Sequence, residues 1–144
     1  MKSLTKQQLI DHTLASFSAE QDQDIKSNSE LLHDSFSMTD MVLRGNEHLP
    51  KLSGSELNQA IKEAFTIKGR QYEFINIIAD EEIQTVMVEF IESYPDPETN
   101  EIYCTPQIAV CIYKDGKIYK TRHYMDPRIS RKHIPIEDIR KAID

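Results

Sequence analysis

The sequence predicts an α+β fold, in which helices from the first half of the chain cover an antiparallel sheet formed by the second half. Up to Phe65, apolar residues recur at helical spacing, three or four residues apart. After Gly69 the period changes to two, as in strands that bury one face. The pair Asp115–Gly116 between two β-prone runs is a strong short-range signal of a hairpin. Helices and strands that are separated along the chain are typical of the α+β class.

Three helices are predicted before Gly69. The first begins at Thr5, because Gln8 follows at the spacing of a capping box. Asp24 is the expected N-cap of the second helix, and Ser53 or Ser55 that of the third. Between the second and third helices, residues 33–45 are expected to form a short strand or an irregular segment, and residues 46–54 a loop.

Four longer strands and a short helix follow Gly69. The strands are expected in residues 70–79, 83–94, 102–113 and 118–125, joined by an acidic turn, a proline-containing loop and the Asp115–Gly116 turn. Pro135 stands near the start of a short C-terminal helix. We therefore predict one domain over residues 1–130 and a C-terminal extension over residues 131–144.

The last hairpin defines the predicted inner face of the sheet. If Asp115 and Gly116 form a two-residue loop, Lys114 faces Lys117 and the register of both strands follows. One face then carries seven residues, namely Ile108, Val110, Ile112, Tyr119, Thr121, His123 and Met125. A mostly apolar face with one imidazole indicates the wall of a core or of a pocket.

Composition limits the classes of function. The chain has 144 residues and a net charge of −7, with no apolar run near the roughly 20 residues that cross a bilayer. We expect a cytoplasmic protein without a secretory signal, a membrane partner or nucleic acid as its main ligand, although residues 128–135 are basic. Scattered histidines, unpaired cysteines and the absence of a glycine-rich phosphate loop predict neither a metal nor a cofactor.

Several short motifs carry a resemblance to a known family. They are Leu31–Leu32–His33–Asp34, Gly54 before the third helix, Asp115–Gly116–Lys117–Ile118 and His123–Tyr124–Met125–Asp126. Over residues 9–126 the chain resembles the nuclear transport factor 2-like superfamily, in its SnoaL-like and ketosteroid-isomerase-like branch. The resemblance implies a cone-shaped, strongly curved sheet closed by N-terminal helices around a deep pocket. Members include isomerases, polyketide cyclases, dehydratases, epoxide hydrolases and binding modules without catalysis.

The resemblance to the steroid isomerases is incomplete at the expected catalytic positions. Their carboxylate on the first short strand matches Asp40 or a position one residue before it. Their acid on the strand before the last hairpin matches Ala109 or Val110, and neither side chain can donate a hydrogen bond. Their tyrosine on the first helix falls at Thr13, Leu14 or Phe17. A steroid-isomerase mechanism is therefore not expected.

The cyclases and the epoxide hydrolases of the same superfamily differ in how well their catalytic positions match this chain. The cyclases place an acid or base on the final strand facing the cavity, and this chain has His123 there, with Asp126 three residues later. The epoxide hydrolases of this fold need two aspartates and an arginine, and the strand from Val86 to Glu92 offers no matching arginine–carboxylate pair. The resemblance thus favours cyclase-like proton transfer over epoxide hydrolysis.

Three residues are candidate acids or bases, each with a structural alternative. His123 could shuttle protons, because the ordinary pKa of histidine is close to neutral pH, or it could be a core histidine with a satisfied hydrogen bond. Asp40 could be a general base, or it could end a strand and cap a turn. Glu89 is a third candidate if it points inward, and an ordinary polar-face residue if it points outward.

The expected ligand is a small apolar molecule in a pocket between helices and sheet. Nine residues are predicted to line it, namely Phe17, Tyr72, Phe74, Ile108, Val110, Ile112, Tyr119, Thr121 and Met125. The first hypothesis is a cofactor-free isomerase, cyclase or dehydratase. The second is a non-catalytic module that binds a ligand or a protein, and a homodimer through the outer sheet face with Lys120, Arg122 and Tyr124 is expected in either case.

Overall fold

The computed structural model describes residues 2–42 and 51–144, and it confirms the α+β fold. Its elements are α1 (Lys6–Gln21), α2 (Ile25–Leu31), β1 (Leu32–Asp40), β2 (Lys51–Leu52), α3 (Gly54–Ala64), β3 (Gln71–Asp80), β4 (Thr85–Pro95), β5 (Ile102–Lys114), β6 (Lys117–Met125), α4 (Pro127–Arg131) and α5 (Ile136–Ile143). β2 stands where a loop was predicted. The end of the predicted segment 33–45 and residues 46–50 lie outside the described ranges.

The first two helices begin where their capping residues predict. Thr5 Oγ1 accepts a hydrogen bond from the Gln8 amide at 3.2 Å, and the Gln8 side chain accepts one from the Thr5 amide at 3.0 Å. The Asp24 carboxylate accepts a hydrogen bond from the Ser27 amide at 3.0 Å. Ser53 precedes the third helix, but its side chain makes no capping hydrogen bond. The caps at Thr5 and Asp24 satisfy amides that would otherwise lack a partner at the start of α1 and α2.

The six strands form one curved sheet in the order β2-β1-β6-β5-β4-β3. All neighbours run antiparallel except β1 and β6, which are parallel. The sheet is therefore mixed, whereas the sequence predicted an antiparallel one. The parallel pair matters for the site, because it places Asp40 opposite His123 in the register.

The predicted turn of the last hairpin is confirmed. Asp115 has φ 52° and Gly116 has φ 78°, the positive values that a type I′ turn requires at both positions. Lys114 pairs with Lys117, as expected for a two-residue loop. The turn therefore sets the start of the register.

A bulge at Tyr119, four residues after Asp115, makes the predicted inner face wrong for β5. Tyr113 pairs with Ile118, but Ile112 pairs with Lys120, so Tyr119 is an extra residue in β6. An extra residue reverses the sides of all that follow, because side chains alternate along a strand. The inner face consequently combines Thr121, His123 and Met125 of β6 with Gln107, Ala109 and Cys111 of β5.

The main core lies between α1 and the inner face of the sheet. It includes Leu9 from the helix and Val86, Val88 and Phe90 from β4, each at most 1% exposed. A second, smaller core lies on the outer face, where Ile139 of α5 packs with Ile91 and Cys104. In the described residues no helix is long and apolar enough to span a membrane.

Candidate functional site

A cavity of about 380 Å³ lies between the helices and the inner face of the sheet. A volume of this size suits a small organic molecule. Apolar side chains from α1, α3, β1 and β5 form much of its wall, among them Phe17, Ile61, Met38 and Ala109. Polar and charged side chains enter the same cavity from β1, β4, β5 and β6.

Six of the residues predicted for the site lie on this cavity. They are Phe17, Asp40, Tyr72, Thr121, His123 and Met125. Phe17 packs edge-on against Tyr72, with ring centroids 4.9 Å apart. The two rings, packed edge to face, form an apolar wall at one side of the cavity.

Five predicted pocket residues do not line the cavity, and the bulge at Tyr119 explains four of them. These are Phe74, Ile108, Val110, Ile112 and Tyr119. Ala109 and Cys111 face the cavity, so Ile108, Val110 and Ile112, which alternate with them on β5, face the outer side. Tyr119 is the bulge residue, and its ring lies 5.2 Å from that of His33. Phe74 contacts Phe17 at 5.3 Å between centroids but stands 38% exposed beside the cavity.

The prediction that Glu89 assists catalysis is wrong in geometry. A bulge at Ile75 brings Asn76 opposite Glu89, and both lie on the outer face of the sheet. Asn76 Nδ2 donates a hydrogen bond to Glu89 Oε1 at 2.9 Å. Glu89 is therefore a polar-face residue that cannot reach a ligand in the cavity.

His123 and Asp40 come together because β1 and β6 are parallel neighbours. Their Cα atoms are register partners, and both residues line the cavity. The Met41 amide donates a hydrogen bond to the His123 carbonyl at 2.7 Å, which continues the pairing beyond the end of β1. The sheet thus fixes the backbones of both candidate acid–base groups.

A second polar group forms around Arg70, which precedes β3 and is only 4% exposed. Its Nη1 donates a hydrogen bond to Glu92 Oε2 and lies 3.2 Å from Glu20 Oε1. The Tyr72 hydroxyl lies 2.8 Å from Glu20 Oε1 and 3.2 Å from Glu92 Oε2. One guanidinium and one phenol therefore hold two carboxylates, with Ala64 O accepting from Arg70 Nη2 at 3.1 Å.

The charges in this group determine which protons it holds. Burial raises the pKa of Tyr72, and the neighbouring charges of Glu20 and Glu92 raise it further. Burial alone lowers the pKa of Arg70, but the charges of the carboxylates Glu92 and Glu20 oppose this effect, and the net shift is upward. Tyr72 thus stays a neutral donor and Arg70 stays a cation at any physiological pH.

Gln107 connects this group with His123. Its Nε2 donates a hydrogen bond to Glu92 Oε1 at 3.1 Å, and its Oε1 lies 3.4 Å from His123 Nδ1. Gln107 is 6% exposed and lines the cavity. A chain of polar contacts therefore runs from Glu20 on α1 across the sheet to the imidazole.

The sequence analysis missed Glu20, Arg70, Glu92 and Gln107. The strand 86–92 was expected to offer no arginine–carboxylate pair of its own, and the arginine that pairs with Glu92 comes from the segment before β3. One signal was available: Glu92 has the same strand phase as Val88 and Phe90, which are fully buried. A carboxylate in that phase needs a buried cation.

In residues 2–42 and 51–144, no group of three or more His, Cys, Asp or Glu side chains could hold a metal ion. Among the described residues that line the cavity there are one guanidinium, that of Arg70, and three carboxylates, those of Glu20, Asp40 and Glu92.

Comparisons with known proteins show likeness in structure but not in sequence. No family model and no curated protein matches the chain. A proposed isomerase from Bacillus subtilis superposes with a TM-score of 0.76 at 17% identity, over 90% of this chain and 95% of that one. An LEH-like epoxide hydrolase from Mycobacterium tuberculosis gives 0.70 at 16% identity, over 96% and 97%.

A third solved structure is a nuclear transport factor 2-like protein of unknown function from Cytophaga hutchinsonii. It superposes with a TM-score of 0.64 at 13% identity, over 89% of this chain and 96% of that one. At such identities the likeness concerns the arrangement of helices around a curved sheet, and not the residues of the site. The chain has the nuclear transport factor 2-like fold.

Proposed function

We propose that this protein is a cofactor-free enzyme that moves protons on a small, largely apolar molecule, in the manner of an isomerase, cyclase or dehydratase. One observation carries the proposal: His123 and Asp40 are register partners on neighbouring strands, and both line one cavity. Two titratable groups that face a common space are the minimum for acid–base catalysis. The cavity walls supply the apolar surroundings in which such groups act.

In this mechanism His123 removes a proton from a carbon next to a carbonyl group. The electron pair of the broken C–H bond moves toward the carbonyl oxygen, and the proton stays on the imidazole until it returns to another atom of the ligand. Asp40 gives or takes the second proton, and its position on the strand beside His123 supports this role. Tyr72 lines the same cavity, but its hydroxyl donates to Glu20, so we assign it to holding that carboxylate and not the ligand.

The charge of the lining restricts the ligand. Arg70 is occupied by Glu92 and Glu20, so its charge is not available to an anion. An anionic ligand would therefore have to compete with Glu92 and Glu20 for this cation, and we propose a neutral ligand.

The test is a proton-exchange assay that needs no knowledge of the product. The protein is incubated in D₂O with a panel of neutral alicyclic ketones and enones, and deuterium gain at the carbons beside the carbonyl is followed by NMR. We expect exchange above the buffer rate, and a fall of about 10²- to 10⁴-fold in His123→Asn, the usual contribution of a general base. Asp40→Asn should slow exchange as well.

His12→Asn is the matched control, because His12 lies on α1 away from the cavity lining. It should exchange at the wild-type rate. If the ketones bind, as seen from shifts of the cavity resonances, but none exchanges faster than in buffer, the enzyme proposal fails. The protein would then be a binding module of the same fold.

A second candidate function, dimerisation through the outer sheet face, has its own supporting observation. Ile78 and Met87 are neighbours on that face and are 65% and 47% exposed. Ile108 and Tyr124 continue the apolar patch toward β6. We propose a second copy of this chain as the occupant, because Lys120 and Arg122 lie at one side of the patch and Glu89 at the other, so that a two-fold axis brings opposite charges together.

Sedimentation of Ile78→Lys tests the dimer. The wild type should sediment as a dimer, and Ile78→Lys should shift it to a monomer because a charge would be buried in the interface. Ile83→Lys is the control, since Ile83 is 64% exposed but lies in the turn between β3 and β4. A wild-type monomer at all concentrations would exclude this interface.

A further inference from the structure

We infer that Gln107 is a positioning residue that fixes the proton of neutral His123 on Nδ1 and leaves Nε2 as the basic nitrogen. The inference deepens the proposed function and rests on it for its role in catalysis. It depends on three side chains of the inner face, those of Glu92, Gln107 and His123, and on the contacts between them.

The orientation of the Gln107 amide follows from Glu92. A carboxylate can only accept hydrogen bonds, so the end of the amide that lies 3.1 Å from Glu92 Oε1 must be the NH₂ group. The other oxygen of Glu92, Oε2, accepts a hydrogen bond from the Arg70 guanidinium, which has donors only. The opposite amide orientation would place two acceptors against each other. The carbonyl oxygen Oε1 must therefore point toward His123.

The orientation of the amide in turn selects the tautomer of the imidazole. Gln107 Oε1 can only accept, and the atom that lies 3.4 Å away is His123 Nδ1. Nδ1 must then carry the proton in the neutral ring, and Nε2 keeps the lone pair. The contact is long for a hydrogen bond, as catalytic contacts often are before a ligand closes the site. This arrangement gives the ring one defined basic atom before the ligand arrives.

Other groups around the ring are compatible with this assignment. On β6, the neighbours on the same face are Thr121 and Met125, and neither is charged. Among the described residues, the charged neighbour from another strand is Asp40 on β1, and Glu92 is hydrogen-bonded to Gln107. Buried Gln107 offers an acceptor at Nδ1 whatever the ionisation of Asp40. The glutamine therefore separates the choice of tautomer from the charge of the second candidate acid.

The experiment reads the tautomer directly, without a substrate. The full chain is labelled with ¹⁵N, and long-range ¹H–¹⁵N correlations of the histidine rings are recorded at pH 8, with His123→Asn used for assignment. We expect the wild type to show Nδ1 as the protonated nitrogen and Nε2 as the unprotonated one. Gln107→Met removes the acceptor at similar size and should shift the population toward the Nε2–H form.

Gln59→Met is the matched control, because Gln59 is exposed on α3 and bonds only to Glu63 among the described contacts. It should leave the His123 signals unchanged. A wild-type ring protonated on Nε2 overturns the inference, and so does a Gln107→Met ring that stays protonated on Nδ1. If Gln107→Met does not fold, Gln107→Ala is used in its place, and the wild-type result is decisive by itself. An Nδ1–H ring without any proton exchange would remove the proposed enzyme but not the tautomer.

Discussion

At the scale of single residues, the unusual feature of this protein is a cation shared by two carboxylates inside the domain. Arg70 contacts Glu92 and Glu20, whose side chains are 16% and 31% exposed. Ion pairs removed from water gain little net stability, because desolvation offsets their attraction. Loss of one partner is costly, however, since it leaves the other charge buried. The group therefore constrains the sequence more than its net stabilisation suggests.

Arg70→Met should destabilise the domain by about 3 kcal/mol, because Glu20 and Glu92 would lie together without a cation. The methionine keeps the apolar stem, so the loss reports the charge. Urea unfolding followed by circular dichroism measures it. Arg128→Met is the control: Arg128 pairs with Asp126 at 2.8 Å, but its side chain is 77% exposed. A loss below about 1 kcal/mol in Arg70→Met would show that the two carboxylates take up a proton or water instead.

At the scale of elements, the faces of the sheet are set by its bulges as much as by its turns. The Asp–Gly turn and the helix caps could be predicted, because each depends on a few neighbouring residues. The bulges at Tyr119 and Ile75 could not, because an extra residue in a strand has no local signal when both neighbours are β-prone. Their effect is large, since each reverses the two faces of the strand beyond it. For this reason the sequence predicts the shared face of His123 and Thr121 but assigns the wrong residues of β5 to that face.

In the candidate site too, only the features that depend on a single strand could be predicted. Asp40 and His123 could be named from their own strands, whereas the group around Arg70 joins α1, the segment before β3, β4 and β5. Contacts between residues 22 or more apart, such as Arg70 with Glu92, leave no periodic trace in the sequence. Their prediction requires the sheet order, and the sheet order includes a parallel pair that was not expected.

The C-terminal helix gives a prediction at this scale. Ile139 of α5 is 5% exposed and packs on the outer face with Ile91 and Cys104, while Arg140 Nε donates to Glu73 Oε1 at 3.0 Å. Ile139→Ala should therefore cost about 2 kcal/mol in the free energy of unfolding. Ile143→Ala, on the same helix but 39% exposed, should cost much less. Urea unfolding measures both losses. If the two substitutions have equally small effects on the free energy of unfolding, residues 131–144 do not belong to the folded unit.

At the scale of the whole molecule, a small domain keeps a cavity of about 380 Å³ beside its core. Cavities reduce stability, so filling this one should be tolerated while binding is lost. Ala60 lines the cavity from α3, and Ala60→Leu adds an apolar side chain there. We expect its free energy of unfolding to stay within about 1 kcal/mol of wild type, and its affinity for the neutral fluorescent probe N-phenyl-1-naphthylamine to fall about tenfold or more, measured by titration. Ala142 is exposed on α5, and Ala142→Leu is the control, which should bind the probe as the wild type does. If Ala60→Leu binds the probe unchanged, the apolar ligand site is on the outer sheet face, where Ile78 and Met87 are exposed, and the cavity is not the site of function.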